Sequence, residues 1–365
     1  MPASLRVATV CCVLELCFLS AYAAEPTVEV SNFGKLANGE VVKLFTLNNG
    51  LGMQVKVIEY GATIIQLNVP DRDNLVTSVL LGADSLAAYV SGFPAASVMG
   101  RFANRIRNAK FTLDGKEYEV TKNSGAHHIH GGQKNFAKVL WSGSSESKAD
   151  VASVTLKYES ADGEEGFPGT LAVAVTYSIS SSNELSIAYE AKTSKPTVVN
   201  LTNHAYFNLT GTGDVLGHEL QLMSNTTTMI DDSRIPTGGI ALVAGTPLDF
   251  IAPHAIGERI AKLNDTTRGY DHNYIVSGSL GELRMAARVF DPKSGRVMEC
   301  LTTEPAVQLF TANSFNGKPF PKHGAFCLET QHYPDSPNHP EFPSTVVRPE
   351  KDWSSQTIYR FSVQK

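Results

Sequence analysis

Apolar residues recur at every second position through much of the chain. The clearest runs are residues 153–159, with Val154, Leu156 and Tyr158 in phase, residues 171–180, with Leu171, Val173, Val175, Tyr177 and Ile179, and residues 184–190, with Leu185, Ile187 and Tyr189. A period of two puts these side chains on one face of an extended strand and leaves the other face to water, as in antiparallel sheet packed on one side. The same pattern predicts strands over 41–47, 53–58, 63–69, 218–223, 297–302, 306–311, 326–331 and 357–363. Clusters such as Asp162-Gly163, Gly166-Phe167-Pro168-Gly169 and Pro236-Thr237-Gly238-Gly239 read as turns between them. Helical spacing is confined to 256–263 and 84–89, too little for α/β winding, and no repeat of fixed period is present. The pattern predicts an all-β fold, a large antiparallel β-sandwich with few short helices, in one domain over 24–365.

One run departs from the rest. Residues 200–209, NLTNHAYFNL, hold a histidine among asparagines where a core strand would hold valine and leucine. In strand phase Asn200, Thr202, His204, Tyr206 and Asn208 face one way, and Val199, Leu201, Asn203, Ala205 and Phe207 the other. A buried polar group without a partner costs about 1–3 kcal/mol, so a polar face inside a β-rich chain predicts a hydrogen-bonding cavity. In 326–331 the same phase puts Cys327, Glu329 and Gln331 on one face.

The first 23 residues have one early cation, Arg6, then an apolar run from Val7 to Leu19 and the small-x-small sequence Ala21-Tyr22-Ala23. They read as a secretory signal peptide cleaved near Ala23, and the rest is expected outside the cell. The run is short for a membrane span and no second one follows, so no membrane association is expected after cleavage. With 31 basic and 36 acidic residues, a net charge of −5 and no basic cluster, nucleic acid is excluded as a partner and a neutral small molecule fits better. Cys11, Cys12 and Cys17 lie in the leader, which leaves Cys300 and Cys327 for either one bridge or two buried thiols. Sequons at Asn225 and Asn264 are candidate glycosylation sites, whereas those at Asn200 and Asn208 fall in the polar run and are expected to be inaccessible.

Candidate chemistry gathers in five places: GRFANR at 100–105, HHIHGG at 127–132, the run at 200–209, YDHNY at 270–274 and ETQHYPD at 329–335. His128 and His130, at i and i+2 of a strand, would share a face suited to a metal. Gly131-Gly132-Gln133-Lys134 supplies no prompt third ligand, so no metal is expected. Arg105 beside Asn104, and Asp271 among Tyr270, His272 and Asn273, mix fork donors, acceptors and flat rings suited to sugar hydroxyls. Glu329 and His204 offer a carboxylate and an imidazole whose pKa values a cavity can bring near neutral.

Together NLTNHAYFNL, GRFANRI, HHIHGG, the DGEEGFPG loop at 162–169, YDHNY and ETQHYPDSPN resemble the motifs of the aldose 1-epimerases, or galactose mutarotases, over nearly all of the chain beyond the leader. The resemblance implies a β-sandwich with a sugar cleft, an aldose as the small-molecule partner and no cofactor. It implies Glu329 as general base, His204 as general acid, His130 near the anomeric centre, and Asn104, Arg105 and Asp271 as sugar-binding residues. At the start of a turnover Glu329 would be ionised and His204 protonated. Two other classes remain as alternatives, a glycoside hydrolase using Glu329 and Asp271 and a non-catalytic sugar-binding protein. A phosphorylated hexose would need more cations than Arg101 and Arg105.

Overall fold

The computed structural model describes residues 25–263, 267–318 and 320–365. The expected leader and the Asn264 sequon lie outside the described residues. The largest sheet has nine strands, in the spatial order Ser142–Lys148, Val151–Ser160, Leu171–Ser180, Glu184–Thr193, Trp353–Val363, Arg296–Thr302, Arg284–Phe290, Glu219–Leu222 and His254–Ala255. Every pairing in it is antiparallel. Its register is the one the alternation demands: Val154 lies opposite Tyr177, Leu156 opposite Val175, and Tyr177 and Val175 opposite Ile187 and Tyr189. A slip by one residue would turn each of these buried side chains outward.

Two five-stranded antiparallel sheets complete the frame. One runs from Thr27–Lys35 through Val41–Asn48, Gln54–Ile58 and Thr63–Pro70 to Val76–Ser78, and the other has the order Pro236–Leu242, Thr226–Ile230, Asp271–Ile275, Ala306–Phe310 and Cys327–Gln331. One apolar cluster joins all three sheets, with Phe45, Val55 and Leu67 from the first of these, Val175, Tyr177 and Tyr359 from the large sheet, and Tyr274, Leu309 and Leu328 from the last. The fold is almost all β, as the alternation predicts. The one α-helix among the described residues is Leu86–Val90.

All of the alternating runs lie on observed strands. The interior strands Thr226–Ile230, Asp271–Ile275 and Arg284–Phe290 were passed over, and three further missed strands share a cause. Thr27–Lys35, Ser142–Lys148 and Pro236–Leu242 are each the edge strand of their sheet. An edge strand with most side chains exposed carries no alternation to read, and Pro236 with Gly238 and Gly239 imitates a turn where the chain in fact pairs. The helix expected over 256–263 is only a 3₁₀ turn at Ile260–Lys262. Ile256 and Gly257 give their N–H groups to the carbonyls of His218 and Leu216, which holds this stretch against 216–218.

The run 200–209 is not a regular strand. Only Thr202–Asn203 forms a ladder, with Val98–Met99, while Phe207 bridges Leu80 and Phe326 and Asn200 bridges Phe102. Its asparagines hold backbone: Asn200 donates to the carbonyls of Ala103 and His332 and accepts from His332 N–H, Asn203 donates to Ala96 and Asn208 to Gly324. Asn200 and Asn208 are buried and closed to glycosylation, as expected, and Asn225 is exposed.

Arg101 is also structural. Its guanidinium is buried and donates to the carbonyls of Pro168 and Gly169 at 2.9 and 2.8 Å and to Ser160 Oγ at 2.6 Å, which ties down the 162–169 loop. Arg101→Met keeps the volume but strips these acceptors of their donor. It should cost at least about 3 kcal/mol, since each orphaned buried group is worth about 1–3 kcal/mol. A urea denaturation midpoint that does not move would refute this role.

Candidate active site

Asp271–Ile275, Ala306–Phe310 and Cys327–Gln331 lie side by side, with Asn273 opposite Gln308 and Gln308 opposite Glu329. Strand alternation brings Cys327 and Glu329 to the same face, and both meet one residue of the 200–209 segment: His204 Nε2 is 3.6 Å from Glu329 Oε1, and its Nδ1 is 3.5 Å from Cys327 Sγ. Tyr206 stacks on the imidazole with ring centroids 4.8 Å apart, and the ring of His130 meets it edge-on at 5.3 Å. Thr202, Asn200 and Asn208 take no part, so only His204 and Tyr206 of the expected polar face reach the cavity.

Asn104 and His130 fix each other. Asn104 N–H donates to His130 Nδ1 at 3.2 Å and His130 N–H donates to the Asn104 carbonyl at 3.0 Å. Both residues have left-handed backbones, with φ of 59° and 50°. Gly131 follows with φ 86°, and a Cβ there would collide with the Gly100 carbonyl oxygen. Because Nδ1 accepts, a neutral His130 carries its proton on Nε2 and offers the cavity a donor. His130, His204 and Glu329 have ligand atoms within 4.8 Å of one another, yet a donor Nε2–H on His130 is the wrong tautomer for a metal ligand. His128 turns away: it donates from Nδ1 to the Thr121 carbonyl at 2.7 Å and meets Phe167 edge-on. The two histidines do not share a face, because the left-handed turn at His130 ends the strand at Ile129.

The Asn104 carboxamide oxygen accepts from Arg105 N–H and from its Nη1, at 3.0 and 3.3 Å, and aims the guanidinium at Asp271, 3.6 Å away. Asp271 also accepts from Gln308 Nε2 at 2.7 Å and faces a second guanidinium, that of Arg234, at 3.6 Å. Asn104, Arg105, His130, His204, Asp271 and Glu329 thus line one cavity of about 710 Å³, within the range of small-molecule sites. Tyr206, Phe310, Arg234, Arg268 and Asn313 share its wall. Among the described residues both Cys300 and Cys327 are free and buried, which decides for two thiols against a bridge.

Burial governs the charges. It pushes the Glu329 carboxyl up to about 8, with Asp271 adding to the effect and Arg105 opposing it. It pulls His204 down to about 4 and His130 well below its ordinary value. At neutral pH the unliganded pair is therefore a carboxylic acid beside a neutral imidazole, the reverse of the ionised Glu329 and protonated His204 expected from the motifs. Both descriptions hold the same single proton.

The model of the aldose 1-epimerase family matches residues 43–360. The chain belongs to this family. It is 41% identical over 342 residues to a galactose mutarotase of Bos taurus, covering 91% of this chain and 97% of that one, and 35% identical to an aldose 1-epimerase of Escherichia coli (strain K12), covering 89% and 96%. A galactose 1-epimerase structure from Lactobacillus acidophilus NCFM superposes with a TM-score of 0.84 at 25% identity, over 93% of this chain and 99% of that one. An aldose epimerase homologue from C. elegans does so with 0.80 at 27%, over 87% and 98%.

Within this aldose 1-epimerase frame, sequence reasoning passed over Gln308, an amide in the apolar strand Ala306–Phe310, although it is the same signal that singled out His204. Arg234 and Arg268 gave no signal, since each sits in a loop of ordinary polar composition.

The protonated state of Glu329 can be read directly. Infrared difference spectra should contain a buried carboxylic acid band at pH 6–7 that disappears as the pH rises through about 8, and that is absent from Glu329→Gln. A band absent at pH 6 would mean that the carboxyl is ionised despite its burial.

Proposed function

We propose that this protein is an aldose 1-epimerase that interconverts the α and β anomers of free aldohexoses such as glucose and galactose, with Glu329 and His204 as the acid and base. The observation that carries the reading is the pair itself: a carboxyl and an imidazole 3.6 Å apart on the floor of the cavity, jointly holding one proton. Ring opening needs one group to take the proton from the C1 hydroxyl and another to give a proton to the ring oxygen as the C1–O5 bond breaks and the C1 carbonyl forms. With Glu329 taking and His204 Nε2 giving, the step ends on a protonated Glu329 and a neutral His204. That is the state burial favours. Rotation about C1–C2 and closure by the reverse transfers then deliver the other anomer and restore the starting pair.

Arg105, Asp271, Asn104 and the Nε2–H of His130 would hold the ring hydroxyls. No cofactor enters, since the reaction is neither redox nor hydrolytic and two proton-transfer groups suffice. Asp271 serves the glycoside hydrolase reading poorly, because its carboxylate is engaged by Gln308 and two guanidiniums rather than free to attack. The leader read in the first 23 residues and the exposed Asn225 support an extracellular location. An expressing cell that kept the protein inside, with residue 1 still attached, would rule that location out.

Polarimetry of freshly dissolved α-glucose and α-galactose tests the activity: the equilibrium position should stay fixed and its approach should speed up, with EDTA without effect. Uncatalysed rates for all common aldoses would defeat the enzyme reading. Glu329→Gln keeps the shape and should lower kcat by roughly 10²-fold or more, since acid–base catalysis contributes about 10²–10⁴. The free-enzyme kcat/KM should follow a bell with limbs near 4 and 8. Below the lower limb the pair holds two protons, and above the upper limb it holds none. A profile flat across both values would separate catalysis from this pair.

A further inference from the structure

A second cavity, of about 690 Å³, opens where the large sheet meets the ends of the strands Ala306–Phe310 and Cys327–Gln331, and it shares no residue with the cleft described above. Its back is formed by the neighbouring strands Glu184–Thr193 and Trp353–Val363, with Ser355 opposite Tyr189 and Trp353 opposite Ala191. Thr303 N–H donates to the Gln356 carbonyl at 3.0 Å, which lays the loop before Ala306 along the same strand and puts Glu304 in the wall. His332 enters from the other side, one residue beyond the end of Cys327–Gln331.

The wall holds polar groups that packing alone does not call for. Glu304 is 2% exposed, and its Oε2 accepts from His332 Nδ1 at 2.6 Å. That bond occupies one carboxylate oxygen and one ring nitrogen, and it leaves the second oxygen and His332 Nε2 to the cavity. Ser355 is 7% exposed, and its Oγ is buried with no hydrogen-bond partner among the described residues. A buried hydroxyl without a partner costs free energy, so an orphan in a cavity wall marks a place for a ligand group. Trp353, partly buried and packed on the main apolar cluster, supplies a flat ring to the same wall.

Charge does not select an ion here. Glu190, Glu304 and Asp352 line the cavity with Lys351, while just outside it Lys192 pairs with Asp352 at 2.7 Å and Arg284 donates to the Glu304 carbonyl at 2.7 Å. His332 apart, each sign is matched by the other. Acceptors on polar side chains beside one flat ring, without net charge, suit a neutral ligand with many hydroxyls and an apolar face.

We propose that this cavity is a second, non-catalytic saccharide site, in which a neutral pyranose lays its C–H face on Trp353 and gives hydroxyls to Glu304, His332 and Ser355. The site reads hydroxyls and a ring face rather than a free C1, so it takes glycosides locked at C1, and it does not depend on the roles given to Glu329 and His204.

The test uses a reporter built into the chain. Of its two tryptophans, Trp141 is 1% exposed with Nε1 bonded to the Phe136 carbonyl at 3.0 Å, so a change of emission on adding sugar reports on Trp353. The full chain is titrated with methyl β-glucoside, methyl β-galactoside and methyl β-cellobioside, and at least one should change the emission saturably. Glu304→Gln keeps the shape and removes the charge, and should weaken that binding roughly tenfold or more. Ser355→Ala leaves the Glu304–His332 bond in place and should weaken it roughly threefold. Both variants are first shown to be folded by circular dichroism. Asp271→Asn, which alters the cleft, should leave the response as it is. The absence of a saturable response to all three glycosides overturns the site. So does a response that Asp271→Asn abolishes while Glu304→Gln and Ser355→Ala keep it, since the signal would then come from the cleft. A response to propylammonium or to acetate but to no glycoside overturns it too, and would make the cavity an ion site.

Discussion

Two titratable groups that water would charge, Glu329 and His204, are shut into a cavity where neither can be solvated. Almost everything else about the site follows from that confinement. Desolvation raises one group and lowers the other until the pair shares a single proton over a wide span of pH. In water a carboxylic acid and an imidazole would settle as an ion pair. Here burial favours the neutral form in the unliganded cavity. Cys327 fits the same logic: burial pushes its thiol well above its ordinary value, so it stays protonated and brings no charge beside His204 Nδ1.

Such a cavity needs rigid walls, and the chain supplies them by leaving regular structure at its edge. Asn104, His130, Arg234 and Arg268 all line the cleft and all have left-handed backbones. Strain of this kind costs of order 1–3 kcal/mol per residue and persists only where neighbours enforce it. The neighbours are visible in each case: the reciprocal bonds between Asn104 and His130, the Asp231 turn before Arg234, and the Asn313 brace around Arg268. One five-stranded sheet brings Asp271–Ile275, Ala306–Phe310 and Cys327–Gln331 together, and these bends aim the side chains.

Much of this was legible in the sequence because burial writes itself into alternation. Most strands with one buried face were readable, and Glu329 was placed on the right face by period alone, although Arg284–Phe290 was passed over. Part of what escaped is what burial does not mark. The exposed edge strands Thr27–Lys35 and Ser142–Lys148 show no period, and a left-handed bend leaves no composition that separates Arg234 from any surface arginine. The six candidate residues come from five separate stretches, and no spacing along the chain could have brought them to one cavity. Family motifs did that, and the geometry then turned His128 and Arg101 away from the cavity and added Arg234 and Arg268 to its wall.

The run NLTNHAYFNL misled in an instructive way. An asparagine in an apolar stretch reads as the sign of a polar face, whereas Asn200 and Asn208 bond backbone where the segment has no ladder. Cys327–Gln331 is the edge strand of its sheet, and the 200–209 segment lies against it, bridging Phe326 through Phe207. A segment that must also present His204 to Glu329 cannot run in register along that edge, because continuous pairing would fix every side chain by strand phase. It touches the edge at Phe207, leaves it at His204, whose own N–H turns to the Ser97 carbonyl, and hands the unpaired backbone of its neighbours to carboxamides. The asparagines are thus the condition for placing the histidine: remove the ladder to free His204, and buried carbonyls must find donors elsewhere, or each costs about as much as a hydrogen bond is worth.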